Sequence, residues 1–128
     1  MTIQSIMNQD ESGKELVDFA HTKAKILVRN GLKSAQLRLV FSEVRKIQAL
    51  WLVEKNKTKA LRRLSMLKPK LYYQAQRQHA VEELKIVLCD AIDEILQAAP
   101  EKQDAGFQKF VDLNEALIAF HKAEGGLN

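Results

Sequence analysis

A chain of 128 residues that is 46% hydrophobic has room for one domain with a real core, and a second domain is not expected. Five Gly and two Pro, against plentiful Ala, Leu, Lys, Glu and Gln, argue against many short strands, so the expected class is all-α, a compact bundle of about five helices. The net charge of +4 is unevenly spread: Lys33 to His79 holds twelve Lys or Arg against two acids, whereas residues 80–128 hold ten acids against four bases. Such asymmetry points to a polyanionic partner or to charge-complementary packing between copies.

Residues 1–12 are polar with scattered Ile and Met and read as a flexible N-terminal arm, leaving 13–128 as a single helical-bundle domain. From about Lys14 to Arg29, the apolar residues Leu16, Phe19, Ala20, Ile26 and Leu27 recur at helical spacing, and Asn30-Gly31 supplies a left-handed stop. Ser34 is placed as the N-cap of a second helix whose face is Leu37, Val40, Phe41, Val44, Ile47 and Trp51, reaching roughly Lys55. A third stretch starts near Asn56 or Lys57 and keeps its stripe of Ala60, Leu64, Leu67, Leu71 and Ala75 in phase through Pro69. A kink or two collinear helices is expected at that proline.

The fourth helix, about Val81 to Ala98, turns Leu84, Val87, Leu88, Ala91, Ile92 and Ile95 inward and Glu83, Asp90, Asp93 and Glu94 outward. Pro100 to Asp104 reads as a linker. The last helix, about Gly106 to Ala123, is apolar over a wide arc, which fits either a place deep in the bundle or a face shared with a neighbouring subunit, and Gly125-Gly126 ends it.

The sharpest chemical pattern lies on the third stretch, where Arg63, Lys70 and Arg77 are spaced seven apart, with Lys59, Arg62 and Tyr73 beside them. Regular cations and an aromatic suit a nucleic-acid backbone, although a solvated charged face has the same appearance. Arg38 and Arg45, also seven apart, mark a flank of the second helix, and Lys68 and Lys70 bracket Pro69. If the two helices pack antiparallel, these flanks would border one groove.

No catalytic constellation is apparent, and no enzyme, metal or cofactor is expected. Asp18-x-x-His21 is not repeated as a di-iron bundle requires. His121 and Asn114 fall on the apolar face of the last helix and read as buried, hydrogen-bonded residues. The lone cysteine, Cys89, reads as a packing residue. No apolar run is long enough to span a bilayer, and a soluble cytoplasmic protein without a membrane partner is expected. A rival reading takes Val28 to Val44, with Gln36 and Arg38 exposed early, as the helix-turn-helix of a homodimeric DNA-binding regulator.

The chain resembles the small subunit of type III-A CRISPR effector (Csm) complexes in three blocks. They are Lys33 to Arg38 running into Phe41 to Ile47, the Leu67-Lys68-Pro69-Lys70-Leu71-Tyr72-Tyr73-Gln74-Ala75-Gln76-Arg77 block, and the ending from Phe107 to Gly126. The Lys-Pro-Lys-Leu block is the most specific. It departs from the family at Gln76, where a Gly is usual.

The resemblance implies a non-catalytic helical bundle. Several copies would stack along the crRNA and target RNA, touching their backbones and the backbone and large subunits of the complex. The residues expected to face RNA are Arg38, Arg45, Arg63, Lys68, Lys70 and Arg77.

Overall fold

The structure is a computed structural model that describes residues 2–128. Among the described residues it has six α-helices and no strand: α1 (Ile3–Gln9), α2 (Lys14–Arg29), α3 (Ser34–Gln48), α4 (Lys57–Arg77), α5 (Glu82–Gln97) and α6 (Pro100–Ala123). The all-α expectation holds, with one helix more than expected.

The extra helix is α1, in the segment read as an arm. Ile3, Ile6 and Met7 share one face at i, i+3 and i+4, and Ile6 and Met7 are buried against α5 and α6. Seven residues are too few to form a helix on propensity, so α1 depends on this packing. Thr2 caps it by accepting the Ser5 N–H, and buried Asp10 accepts the Leu16 N–H at 2.8 Å, fastening α1 to the start of α2.

α2 ends as its sequence requires, with Gly31 at φ +83. Ser34 is not the N-cap of α3. Lys33 is, and Ser34 is the first helical residue, its hydroxyl turned inward to Nδ1 of His121. The Gln36 amide closes the turn by accepting the Lys33 N–H at 2.9 Å. α3 widens into a π-helical turn over Ala49–Val53, and Trp51 then stacks on Phe107 with ring centroids 4.5 Å apart while its Nε1 donates to Asp104.

α4 runs from Lys57 to Arg77 as one helix, with Pro69 inside it on an exposed position. A 3₁₀ turn, His79–Val81, leads into α5. α6 begins at Pro100, so Pro100 to Asp104 is the first turn of a helix rather than a linker, with proline at the one position where its missing N–H is harmless.

Among the described residues, thirty-one buried apolar side chains form one connected core reaching every helix. α6 is its axis: it packs on α1, α2, α3 and α5, and Phe107, Phe110, Val111, Leu113 and Leu117 are all buried. The wide apolar arc of α6 is therefore satisfied within the chain. Truncating fully buried Phe110 to Ala would cost about 3–5 kcal/mol.

Candidate nucleic-acid interface

α3 and α4 pack antiparallel, since Gln36 meets Gln78 at one end and Glu43 meets Arg63 farther along. The flank of α3 that faces α4 carries Gln36, Leu39, Glu43 and Lys46, spaced three, four and three apart as one helical row. The opposing flank of α4 carries Arg63, Lys70, Gln74 and Arg77.

Glu43 is the hub of this face. Arg63 donates to it through Nε at 2.7 Å and a second nitrogen at 3.4 Å, and the Lys70 ammonium stands 3.7 Å away. The Arg63 guanidinium holds the Glu43 carboxyl below its ordinary pKa; burial opposes this, and Lys70 and Lys46 reinforce it. One carboxylate thus answers three cations, which leaves the centre of the face positive. Lys59, Arg62 and Arg77 continue the charge along α4, each exposed and none in an ion pair among the described residues. Met66 and Tyr73, 55% and 62% exposed, lie between them.

The six residues expected from sequence do not border one groove. Arg63, Lys70 and Arg77 share the α3-facing flank of α4. Arg45 is on the opposite side of α3, bound to Glu115 of α6 at 3.0 Å and to Gln48, its guanidinium 4.5 Å from the Phe41 ring centre. Arg38 shares that flank with no ion-pair partner among the described residues. Lys68 turns the other way on α4, toward α5, where it pairs with Asp93. The reason is angular: positions 38 and 45 lie about 100–160° around α3 from Leu39 and Glu43, and Lys68 lies about 160° around α4 from Lys70. Lys46 is the α3 cation that does reach the face. Its signal was the Leu39, Glu43, Lys46 row, hidden by the more regular Arg38, Arg45 pair.

Several acids expected to point outward are engaged inside the molecule. Glu83 accepts from Lys23 at 2.6 Å, Asp93 pairs with Lys68, and Glu94 accepts from Asn8. Gln36 is not a free reader of bases, because its amide is spent on Lys33 N–H and Gln78; this removes one of the two side chains on which the helix-turn-helix reading stood.

The candidate chemical groups are otherwise structural. His21 stacks on Phe120 at 4.3 Å and contacts Glu124. Asn114 donates to the Phe110 carbonyl, while His121 is fully buried between Ser34 and the Leu32 carbonyl. Cys89 is buried, and burial pushes its thiol pKa up to about 11, against the opposing pull of Lys68. Among the described residues, no three His, Cys, Asp or Glu side chains converge to hold a metal ion, and no helix is long and apolar enough to cross a membrane.

The family model Csm2 Type III-A matches residues 10–126 of the chain. The chain belongs to that family. It is thus a small subunit of a type III-A CRISPR effector complex, and the expected resemblance holds over nearly its whole length. No curated protein and no solved structure matches it. Within this family member, Gln76 is an exposed residue of the last turn of α4, which continues in regular helix to Arg77.

Proposed function

We propose that the chain is the RNA-binding, non-catalytic small subunit of its Csm complex, stacking in several copies along crRNA and target RNA and contacting their backbones through the α3/α4 face. The observation that carries this reading is the charge balance of that face. Lys46, Arg63 and Lys70 surround a single carboxylate, and Lys59, Arg62 and Arg77 extend the positive row along a helix about 30 Å long. Phosphates repeat along a strand, so a straight row of cations matches several at once. On this reading Lys46, Lys59, Arg62, Arg63, Lys70 and Arg77 face the RNA, with Arg63, Lys70 and Arg77 shared with the residues expected from sequence. A non-catalytic role is supported by the buried, weakly acidic Cys89 thiol and by the structural engagement of His21 and His121. Other small-subunit copies and the backbone and large subunits are the protein partners this reading requires.

The test is fluorescence anisotropy of labelled single-stranded RNA with the full chain across a salt series. Binding is expected to weaken linearly on a log-log plot with a slope of roughly −0.7 per neutralised phosphate. An affinity insensitive to salt overturns the proposal. RNA incubated with the chain in the presence of Mg²⁺ or Mn²⁺ should remain intact, and cleavage abolished by a single substitution would disprove the non-catalytic part.

A further inference from the structure

At the end of the α3/α4 face near Gln78, the surface dips into a concavity of about 310 Å³ lined by Gln36, Leu39, Tyr73, Gln74, Arg77 and Gln78. Its composition differs from the rest of the face. Tyr73 and Leu39 are 62% and 70% exposed, although nothing in the fold requires a phenol ring and an isobutyl group in water. The lining has no carboxylate. Its one cation, Arg77, stands 5.6 Å from the centre of the Tyr73 ring and 3.4 Å from the Tyr73 hydroxyl, leaving most of its donors free.

The Gln36 to Gln78 hydrogen bond forms a low wall, and beyond it a second concavity is lined by Lys33 and His79 among others. Gln36 Oε1 accepts from Lys33 and its amide nitrogen donates to Gln78 Oε1. Among the described residues the Gln78 NH₂ group and the whole Gln74 amide make no hydrogen bond, and both residues line the first concavity.

We infer that this concavity is a niche for one unpaired nucleobase of the bound RNA, a step that rests on the RNA-binding reading above. An aromatic ring offers a base a face to stack on, the Leu39 side chain closes the apolar side, and the two glutamine amides face the polar edge. The phosphates on either side of that nucleotide fall to Arg77 on one side and to Lys33 on the other. A peptide or lipid ligand has less to favour it, because an exposed aromatic ring, one guanidinium and two amides together match the stacking face, flanking phosphate and polar edge of a single nucleotide. The niche makes the contact to RNA sensitive to base pairing as well as to backbone charge, which the row of cations alone would not be.

The experiment compares the wild-type full chain with Tyr73→Leu, Tyr73→Phe and Arg77→Ala by anisotropy. The probes are a labelled single-stranded RNA 12-mer, the same oligomer with abasic riboses, and its fully paired duplex. Tyr73→Leu is expected to weaken binding to the single strand about 5- to 10-fold with the salt slope unchanged, and to have no effect on the abasic oligomer or the duplex. Tyr73→Phe should restore binding, since stacking needs the ring and not the hydroxyl. Arg77→Ala should weaken all three probes and flatten the salt slope. Tyr73→Leu equal to wild type on the single strand, or equally impaired on the abasic strand, overturns the niche while leaving the backbone contact standing. A wild-type chain that binds none of the probes overturns the RNA reading itself and the niche with it.

Discussion

The imidazole of His121 occupies the space that a Cβ on Gly126 would need. The ring is fully buried and fixed at both nitrogens: Nε2 lies 2.6 Å from the Leu32 carbonyl, to which it donates, so Nδ1 accepts from the Ser34 hydroxyl at 3.2 Å. The chain then passes over the ring. Gly126 N–H donates to the His121 carbonyl at 2.8 Å, and Ser34 N–H donates to the Leu127 carbonyl. The C-terminal residues are thereby tied to the start of α3. Gly126→Ala should destabilise the fold by about 1–3 kcal/mol, as overpacking does, seen as a lower urea midpoint at unchanged slope. Gly31→Ala serves as comparison, since it meets only backbone strain at φ +83 with open space around it, at a cost of about 1–2 kcal/mol. A Gly126→Ala variant as stable as wild type would show that the tail lifts off the ring without loss.

Glu43 gives a prediction whose two readouts move in opposite directions. Its folded pKa lies below the ordinary 4.5, chiefly through the Arg63 hydrogen bond. The stability this contributes is therefore fully present above the unfolded pKa and is lost as pH falls through the lower folded value. Glu43→Gln should cost about 0.5–1 kcal/mol at pH 7, discounted for the exposure of Arg63, and the gap should close on acidification below about pH 4. The same substitution frees Arg63 and Lys70, so RNA binding should tighten and its salt slope steepen. Denaturation at pH 7 and pH 3, with anisotropy beside it, checks both. A stability gap that persists unchanged in acid would assign the loss to packing rather than charge.

How much of this was legible in the sequence depended on whether period or angle decided the question. The apolar stripes of α2 to α6 could be read because burial imposes the 3.6-residue period directly. Leu64, Leu67 and Leu71, for example, are all buried as their spacing implied. α1 was missed because Ile3, Ile6 and Met7 show the same period over barely two turns amid polar residues. The basic character of the α3/α4 face was legible, but its α3 cation was not. Arg38 and Lys46 look equivalent in sequence, and only the position of α4 against Leu39 and Glu43 makes one of them a neighbour of Arg63. The glycine pair at the end read correctly as a helix stop, yet nothing in sequence showed that Gly126 also makes room for a histidine five residues earlier.

Pro69 offers a test of how α4 holds its line. An interior proline removes the hydrogen bond its N–H would give to the Ser65 carbonyl and crowds that carbonyl. Ser65 itself donates from Oγ to the Leu61 carbonyl at 3.0 Å, a local bond that keeps this turn engaged. Pro69 is exposed, so its ring fills no core space. Pro69→Ala should therefore stabilise the chain by about 1–2 kcal/mol. Restored hydrogen bonding and helix propensity outweigh the greater freedom gained by the unfolded chain. Thermal unfolding checks this directly, and a lower midpoint would mean that a bend at Pro69 is needed to seat Leu67 and Leu71 in the core.

The last prediction separates the two basic flanks of α3. Lys46 lies on the row that faces α4, beside the Glu43, Arg63 and Lys70 cluster, and carries no ion pair among the described residues. Arg45, its sequence neighbour, lies on the other flank with its charge answered by Glu115 and its guanidinium over Phe41. If RNA lies along the α3/α4 face, Lys46→Ala should flatten the single-strand salt slope by roughly 0.7, the share of one phosphate, as should Lys59→Ala or Arg62→Ala on α4. Arg38→Ala and Arg45→Ala should do no more than Lys14→Ala or Lys122→Ala, which remove the same charge from α2 and from the end of α6. Lys68→Ala should act on stability rather than on RNA, because it leaves half-buried Asp93 without its partner. The reverse outcome, with Arg38 and Arg45 carrying the salt dependence and Lys46 silent, would move the RNA to the α3/α6 side of the bundle.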